Sequence, residues 1–286
     1  MLDVNKIRSD KAEIKKSLLK RMAEKDLDLD KIISLDDKRK DLITKTDELK
    51  AERNKHSKTK PTPDVIKKMK KLGEDIKKAD EDVSKLQIEL DEKLAELPNI
   101  VADDVVAGGK ENNKVIKTFG KLPKFKFKTK DHVELATDLE IIDYERGAKM
   151  SGSGFWVYKG KGALLEWALL NYFIDFHNKN DYTFIIPPYL LTEESAYTSG
   201  HLPKFRDDLF WTQDGLCLNA TSEMMLGNYH RDEILEEKSL PLKYYAYSAC
   251  FRREAGSYRK EERGMIRGHQ FNKIEMFHFA HPSKSW

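Results

Sequence analysis

Two short runs near the end of the chain hold the densest chemistry: Phe251-Arg-Arg-Glu254 and, after a loop rich in glycine and charge, His269-Gln-Phe-Asn-Lys-Ile-Glu275. Side chains alternate faces along a strand, so Arg252 and Glu254 are expected on one face of the first run. Phe271, Lys273 and Glu275 share a face of the second. Paired, the two strands would present a cation, two carboxylates and an aromatic plate on one sheet surface. The loop between them carries Arg259, Lys260, Arg263 and Arg267, which suit the oxygens of a polyphosphate. On spacing alone, a hairpin with a solvated polar face is the stronger reading.

Other segments are weaker still when taken alone. Thr221-Ser222-Glu223 follows a strand-like Leu216–Asn219 and precedes an apolar helical run, which fits a helix N-cap with an acid in its first turn. A hydroxyl and a carboxylate are also the acceptors that a substrate cation needs. Pro187-Pro188 reads as the end of a strand. Gly152-Ser-Gly154 lacks the third glycine and following helix of a dinucleotide fingerprint, and no GxxxxGK[ST] loop occurs. The eight histidines form no HExxH pair, so no metal site is expected.

These runs must be held by a fold, and 286 residues suffice for two domains. Lysine is dense in the first 130 residues and aromatic residues gather after Phe119, so a solvated, nucleic-acid-facing first half and a cored second half are expected. Two cysteines make no disulfide framework, the N-terminus has no apolar signal region, and no apolar run is long enough for a membrane. A cytoplasmic setting is expected.

Residues 1–30 read as a short polar helix and a connector. From about residue 30 to Leu97 the spacing becomes helical. Val65, Met69, Leu72, Ile76, Ala79, Val83, Leu86, Leu90 and Leu97 mark a coiled-coil seam broken at Lys93. A thinner seam runs through Ile32, Leu35, Leu42 and Leu49, with Arg39, Thr46 and Arg53 at the alternate positions. Between the seams, residues 56–64 are polar and twice interrupted by proline, which predicts a turn. The expectation is an antiparallel helical hairpin about 50 Å long. Residues 98–130 read as a linker. Beyond it come a helix over 162–179, with Leu164, Trp167, Ala168, Leu170, Tyr172, Ile174 and Phe176 largely inward, and strands over 182–186, 243–253 and 271–279. That order predicts an α+β sheet domain.

The run FRREAGSYRKEERGMIRGHQFNKIEMF resembles motif 2 of class II aminoacyl-tRNA synthetases, in the form found in seryl-tRNA synthetases. TSGHLPKFRDDLFW, AERNKHSK, LPNIVADDV and MLDVNKIR are also similar to segments of that family, in order along the whole chain. The resemblance implies an N-terminal tRNA-binding domain over 1–97 with its arm at about 30–97. A linker over 98–130 and a class II antiparallel sheet domain over 131–286 would follow. It implies ATP-dependent activation of L-serine and transfer to tRNA(Ser), and also to tRNA(Sec).

By the same resemblance Arg252 would grip the α-phosphate and the serine carboxylate, with Arg253 beside it, and Glu254 would hold the adenine amino group or a nearby ordered contact. Phe271 would stack under adenine, the Gly268 backbone would meet its edge, and Arg267 would reach the γ-phosphate. Thr221, Ser222 and Glu223 form the amino-acid loop, with Thr221 and Glu223 on the substrate ammonium, and Glu275 would accept from the serine hydroxyl. Pro188 matches the motif 1 proline and implies a homodimer. Arg53, Lys55, Lys58, Lys60, Lys67 and Lys70 near the arm tip would meet tRNA phosphates.

Mg2+ is expected with ATP, without ligands in this chain. The family continues to a third, glycine-rich motif beyond Trp286, so the chain is expected to be a piece of a longer enzyme and inactive alone. The alternative is a non-catalytic tRNA- or carrier-binding paralogue.

Overall fold

The computed structural model describes residues 2–57, 62–255 and 264–285. Its contacts divide the chain into two compact units, Met1–Lys121 and Leu122–Trp286.

The first unit's regular elements are helical. Two short helices, α1 (Val4–Ser9) and α2 (Lys11–Leu18), stand where one was expected. The Asp3 carboxylate starts α1 by accepting from the Asn5 N–H. Two long helices follow, α3 (Leu29–Ser57) and α4 (Pro63–Glu96). With 34 residues, α4 is about 51 Å long at 1.5 Å per residue. The Thr62 hydroxyl accepts from the Val65 N–H, and Pro63 sits in the first turn, where its missing N–H costs nothing. That proline therefore opens α4. The predicted turn over 56–64 is thus narrower than expected: 56–57 end α3, Thr62 caps α4 and Pro63 and Asp64 open it, while 58–61, including Lys58 and Lys60, lie outside the described residues.

Apolar spacing explains the packing. Ile7, Ile14 and Leu18 meet Ile32 and Leu35 of α3 and Leu90 and Leu94 of α4 in one core. The seam does not break at Lys93. Leu94, four residues after Leu90, takes the buried position. Farther along, Leu72 and Ile76 are buried, and so is Thr46 on α3, whose hydroxyl donates to the Leu42 carbonyl at 2.7 Å. Asp36, also buried, accepts from Arg8 and Arg39 at 2.9 Å and pairs with Lys40 at 2.7 Å. Burial by itself would raise its pKa, but Lys40, Arg39 and Arg8 outweigh that and hold it at about 2.

The second unit starts with α5 (His132–Asp138), opened by a capping box between Asp131 and Glu134. Strands β1 (Ile142–Asp143) and β2 (Val157–Tyr158) pair antiparallel around α6 (Tyr144–Ser151). Next come α7 (Lys161–Asn178), β3 (Thr183–Ile185) and β4 (Leu190–Leu191), then α8 (Glu193–Thr198) and β5 (Cys217–Leu218), which pairs with β4. The remaining elements are α9 (Glu223–Leu226), β6 (Leu242–Phe251) and β7 (Gln270–Phe279).

The main sheet has the order β3-β6-β7. β6 and β7 pair antiparallel over ten residues, as expected, but β3 joins β6 in parallel. The long connection through α8 and α9 permits that direction, which a tight hairpin would forbid. Tyr245 locks helix to sheet: its ring stacks on Phe184 at 4.7 Å and its hydroxyl donates to Asn178 Oδ1 at 2.8 Å.

The inward face expected for α7 is only partly realised. Leu170 is buried, but Leu164 is 70% exposed, Trp167 54%, Tyr172 63% and Phe176 51%. The helix is apolar around most of its circumference, and this sheet covers one stripe of it.

Candidate active site

The site is built on the β6–β7 ladder. Its register sets Cys250 opposite Phe271, Ser248 opposite Lys273 and Ala246 opposite Glu275. Directly paired residues share a face, so the three functional side chains of β7 are flanked by three small ones on β6. Small residues let a loop lie close. The Asn219 side chain donates to Ser248 Oγ at 3.2 Å and to the Ala249 carbonyl at 3.0 Å, and the Phe251 N–H donates to the Asn219 carbonyl at 2.9 Å. The segment 219–223 is thereby pinned over the sheet.

Glu275 and Thr221, 54 residues apart in the chain, meet there. Glu275 Oε2 accepts from the Thr221 hydroxyl at 2.6 Å and from the Glu223 N–H at 3.0 Å, and pairs with Lys273 Nζ at 2.7 Å. Burial pushes the Glu275 carboxyl up, yet Lys273, Thr221 and the Glu223 N–H together hold it below the usual range. It is therefore ionised at neutral pH. All three donors use one oxygen, which leaves Oε1 to accept from a ligand. The Thr221 hydroxyl also accepts from Lys273 Nζ at 2.5 Å, so its proton is committed to Glu275.

Ser222 departs from the expectation for a ligand contact. It is fully buried and its hydroxyl bonds Ser248 Oγ at 2.7 Å, so it fastens the loop. The Glu223 carboxylate is exposed at the start of α9, where an anion is favoured.

Arg252 lies beside this cluster. Its Nε donates to the Ala220 carbonyl at 3.1 Å, and its guanidinium lies 5.2 Å from the Phe271 ring centroid. What stacks on Phe271 here is the arginine. The expectation that Arg252 and Glu254 share a strand face does not hold, because β6 ends at Phe251 and Glu254 takes a positive φ of 50°. The turn is held instead by Asp208, whose carbonyl and carboxylate accept from the N–H groups of Arg253 and Ala255. Glu254 pairs with Arg267 at 3.5 Å, which brings these two expected ATP residues together, while Arg253 is exposed. Arg259, Lys260 and Arg263 lie outside the described residues.

Gly268 is buried against an indole. A Cβ there would come within 2.1 Å of the Trp156 ring, so only glycine fits. Gly154, at φ +85°, approaches the His269 ring in the same way, and its carbonyl accepts from the His269 N–H at 3.0 Å. The run Gly152-Ser-Gly154, which lacks the features of a dinucleotide fingerprint, has a structural use at its second glycine. Gly154 seats the start of β7, and a glycine just before Phe155-Trp156 is the available signal. His201 was also missed as a site neighbour. Burial lowers its pKa, and Glu223, Arg252 and Glu275 all act on its charge. Its ring meets Ser199 Oγ at 3.0 Å.

Elsewhere, Lys55, Lys67 and Lys70 are exposed near the arm tip and Arg53 is half-buried. Pro188 is exposed between β3 and β4. Among the described residues, no three His, Cys, Asp or Glu side chains are grouped to hold a metal ion.

Comparison with known proteins adds a family. The model of the seryl-tRNA synthetase N-terminal domain matches residues 1–101, and that of the tRNA synthetase class II core domain (G, H, P, S and T) matches residues 205–286. A protein named serine–tRNA ligase 2 from Clostridium acetobutylicum is 46% identical over 300 residues, covering all of this chain and 70% of that protein. A serine–tRNA ligase from Petrotoga mobilis is 44% identical with the same coverage. Among solved structures, seryl-tRNA synthetase from Pyrococcus horikoshii complexed with ATP superposes with a TM-score of 0.88 at 30% identity, covering 100% of this chain and 71% of the other.

Proposed function

This chain belongs to the seryl-tRNA synthetase family, and on that premise we propose that it serves as a serine–tRNA ligase. In the first step a serine carboxylate oxygen attacks the α-phosphorus of ATP, forming seryl-adenylate and releasing pyrophosphate. In the second a ribose hydroxyl at the tRNA 3′ end attacks the seryl carbonyl and AMP leaves. Positioning and charge neutralisation do most of this work, with little protein acid–base chemistry.

The observation that carries the reading is the convergence of Thr221, Lys273 and Glu275 beside Arg252. A serine substrate offers an ammonium, a carboxylate and a hydroxyl. Glu223 and Thr221 would take the ammonium, Arg252 the carboxylate and the α-phosphate, and Glu275 Oε1 the hydroxyl. Phe271 and the Gly268 backbone would receive adenine, with Glu254 at its amino group and Arg253 and Arg267 toward the outer phosphates. Mg2+ would arrive bound to ATP. The described residues offer no cluster of their own to hold it.

The arm residues Arg53, Lys55, Lys67 and Lys70 would meet tRNA(Ser), and tRNA(Sec) by the same contacts. The exposed apolar residues of α7, with Ile186 and Pro188 beyond it, support a homodimer packed along that face. No described helix is long and apolar enough to cross a membrane, and the proposed setting is the cytoplasm.

Calorimetric titration with a sulfamoyl analogue of seryl-adenylate tests the site. The protein should bind it, and Arg252→Gln should weaken binding by about a hundredfold, as for loss of a charged contact. Equal affinity for the alanyl analogue would overturn the serine assignment. Binding of tRNA without the adenylate analogue would favour the non-catalytic paralogue.

A further inference from the structure

We propose that the connector over residues 114–130 is a second RNA-binding element, gripping phosphates with Lys124, Lys126 and Lys128 and stacking unpaired bases on Phe125 and Phe127. The segment reads KVIKTFGKLPKFKFKTK, with seven lysines and no acid between Glu111 and Asp131. Every residue of it is exposed, and it forms neither helix nor strand.

The charge at its centre is also uncompensated. Lys130 pairs with Asp138, but Lys124, Lys126 and Lys128 make no ion pair or hydrogen bond among the described residues. Uncompensated lysines this close together repel one another, and a polyanion relieves that repulsion while releasing its own counterions.

The apolar residues are interleaved with the charges. Phe119 is 96% exposed, Phe125 57% and Phe127 69%. Phe125 and Phe127 lie side by side with ring centroids 5.3 Å apart, a small aromatic plate with a lysine on each flank and one between. Basic residues that track a backbone and rings that accept bases are the two components of single-strand recognition. A protein partner would want the rings but would have to bury or neutralise the lysines between them. RNA uses both.

This rests on the reading of the chain as a tRNA ligase, and the test separates the two. Filter binding of the full chain to a serine tRNA transcript is measured over a salt series. Four variants are compared with the parent: Lys124→Gln/Lys126→Gln/Lys128→Gln, the same three positions changed to Arg, Phe125→Leu/Phe127→Leu, and Lys67→Gln/Lys70→Gln on the arm. Far-ultraviolet circular dichroism confirms that each is folded.

The triple glutamine variant should bind about tenfold more weakly, with a salt slope shallower by about two to three, roughly one per lost phosphate contact. The corresponding triple arginine variant should bind as the parent does. The leucine pair should weaken binding about tenfold with little change in slope, and should do the same to a single-stranded oligoribonucleotide but not to an RNA duplex.

Parent-like affinity and slope in the triple glutamine variant overturn the proposal, and an effect of the arm variant alone would then leave the tRNA reading standing. A parent chain with no salt-dependent tRNA binding overturns both. Leucine variants that bind tRNA normally but lose self-association in sedimentation would assign the rings to a second copy of the chain, against the proposal.

Discussion

The helical arm and the sheet that carries the site are specified in opposite ways. Along α3 and α4 apolar burial follows the helical repeat, so spacing along the chain is enough to find the buried positions, whether α1 and α2 or the other long helix covers them. Leu72 and Ile76, or Ile32 and Leu35, are buried because of where they fall in that repeat. In the second unit, single residues decide. Thr221 reaches Glu275 across 54 positions, and Gly268 is pressed on Trp156 from a distant turn. The arm should therefore tolerate conservative changes at many positions and fail by cumulative loss of apolar contact. The site should fail at one polar atom while the fold survives.

The largest expected effect tests the arm's side of this contrast. Ile32→Ala removes a side chain that is 2% exposed in the core shared by α1–α4. It should cost about 3–4 kcal/mol of stability in the first unit, within the usual range for such truncations. Thermal scans should show that unit melting earlier, with the seryl-adenylate analogue bound as before. Loss of analogue binding would show that the two units do not fail separately.

Second comes the site. Glu275→Ala should cost about 2–4 kcal/mol of binding to the seryl analogue, comparable to losing one preorganised polar contact. The preference for serine over alanine should largely disappear with it. If melting temperature falls while the serine-to-alanine ratio stays near the parent value, Glu275 is only the structural partner of Lys273.

A smaller effect is expected in acid. The Asp36 pKa is depressed from 3.8 to about 2 by its three cationic partners, so the linked stabilisation is fully present above pH 3.8. It is lost as pH falls through about 2, and amounts to about 2 kcal/mol. Asp36→Asn should remove that part of the acid dependence of the first unit. An unchanged slope between pH 4 and pH 2 would show that the carboxylate titrates normally.

The smallest effect sharpens the contrast. Thr46 is buried in the arm, but among the described residues its hydroxyl bonds only within its own helix, at Leu42. Thr46→Val should change stability by less than about 1 kcal/mol in chemical denaturation, because the Leu42 carbonyl keeps its backbone partner. A large loss would mean that the arm also depends on single polar atoms.

The same contrast explains what could be read from the chain beforehand. The hairpin, its length and the β6–β7 pair follow from periodicity and turn residues, which are local signals. The face of β7 with Phe271, Lys273 and Glu275 follows from alternation. The end of β6 at Phe251 did not, because it is imposed by Asp208, far upstream, and by the positive φ of Glu254. The inward turn of Ser222 depends on Ser248, and the seat of Gly268 depends on Trp156. Neither partner has a fixed spacing to the residue it controls. On α7, apolar residues announced burial, but periodicity does not say how much of a helix a given sheet will cover.

The close approach of Gly268 to Trp156 has an optical consequence. The chain has four tryptophans, and this one has its indole against the backbone that would meet the edge of adenine. Its emission should therefore register any shift of that backbone on nucleotide binding, without an added dye. Trp156→Phe would silence the signal and identify its source. The molecule thus carries a fluorophore at the place where binding would be felt, and stopped-flow emission could time each arrival of ATP.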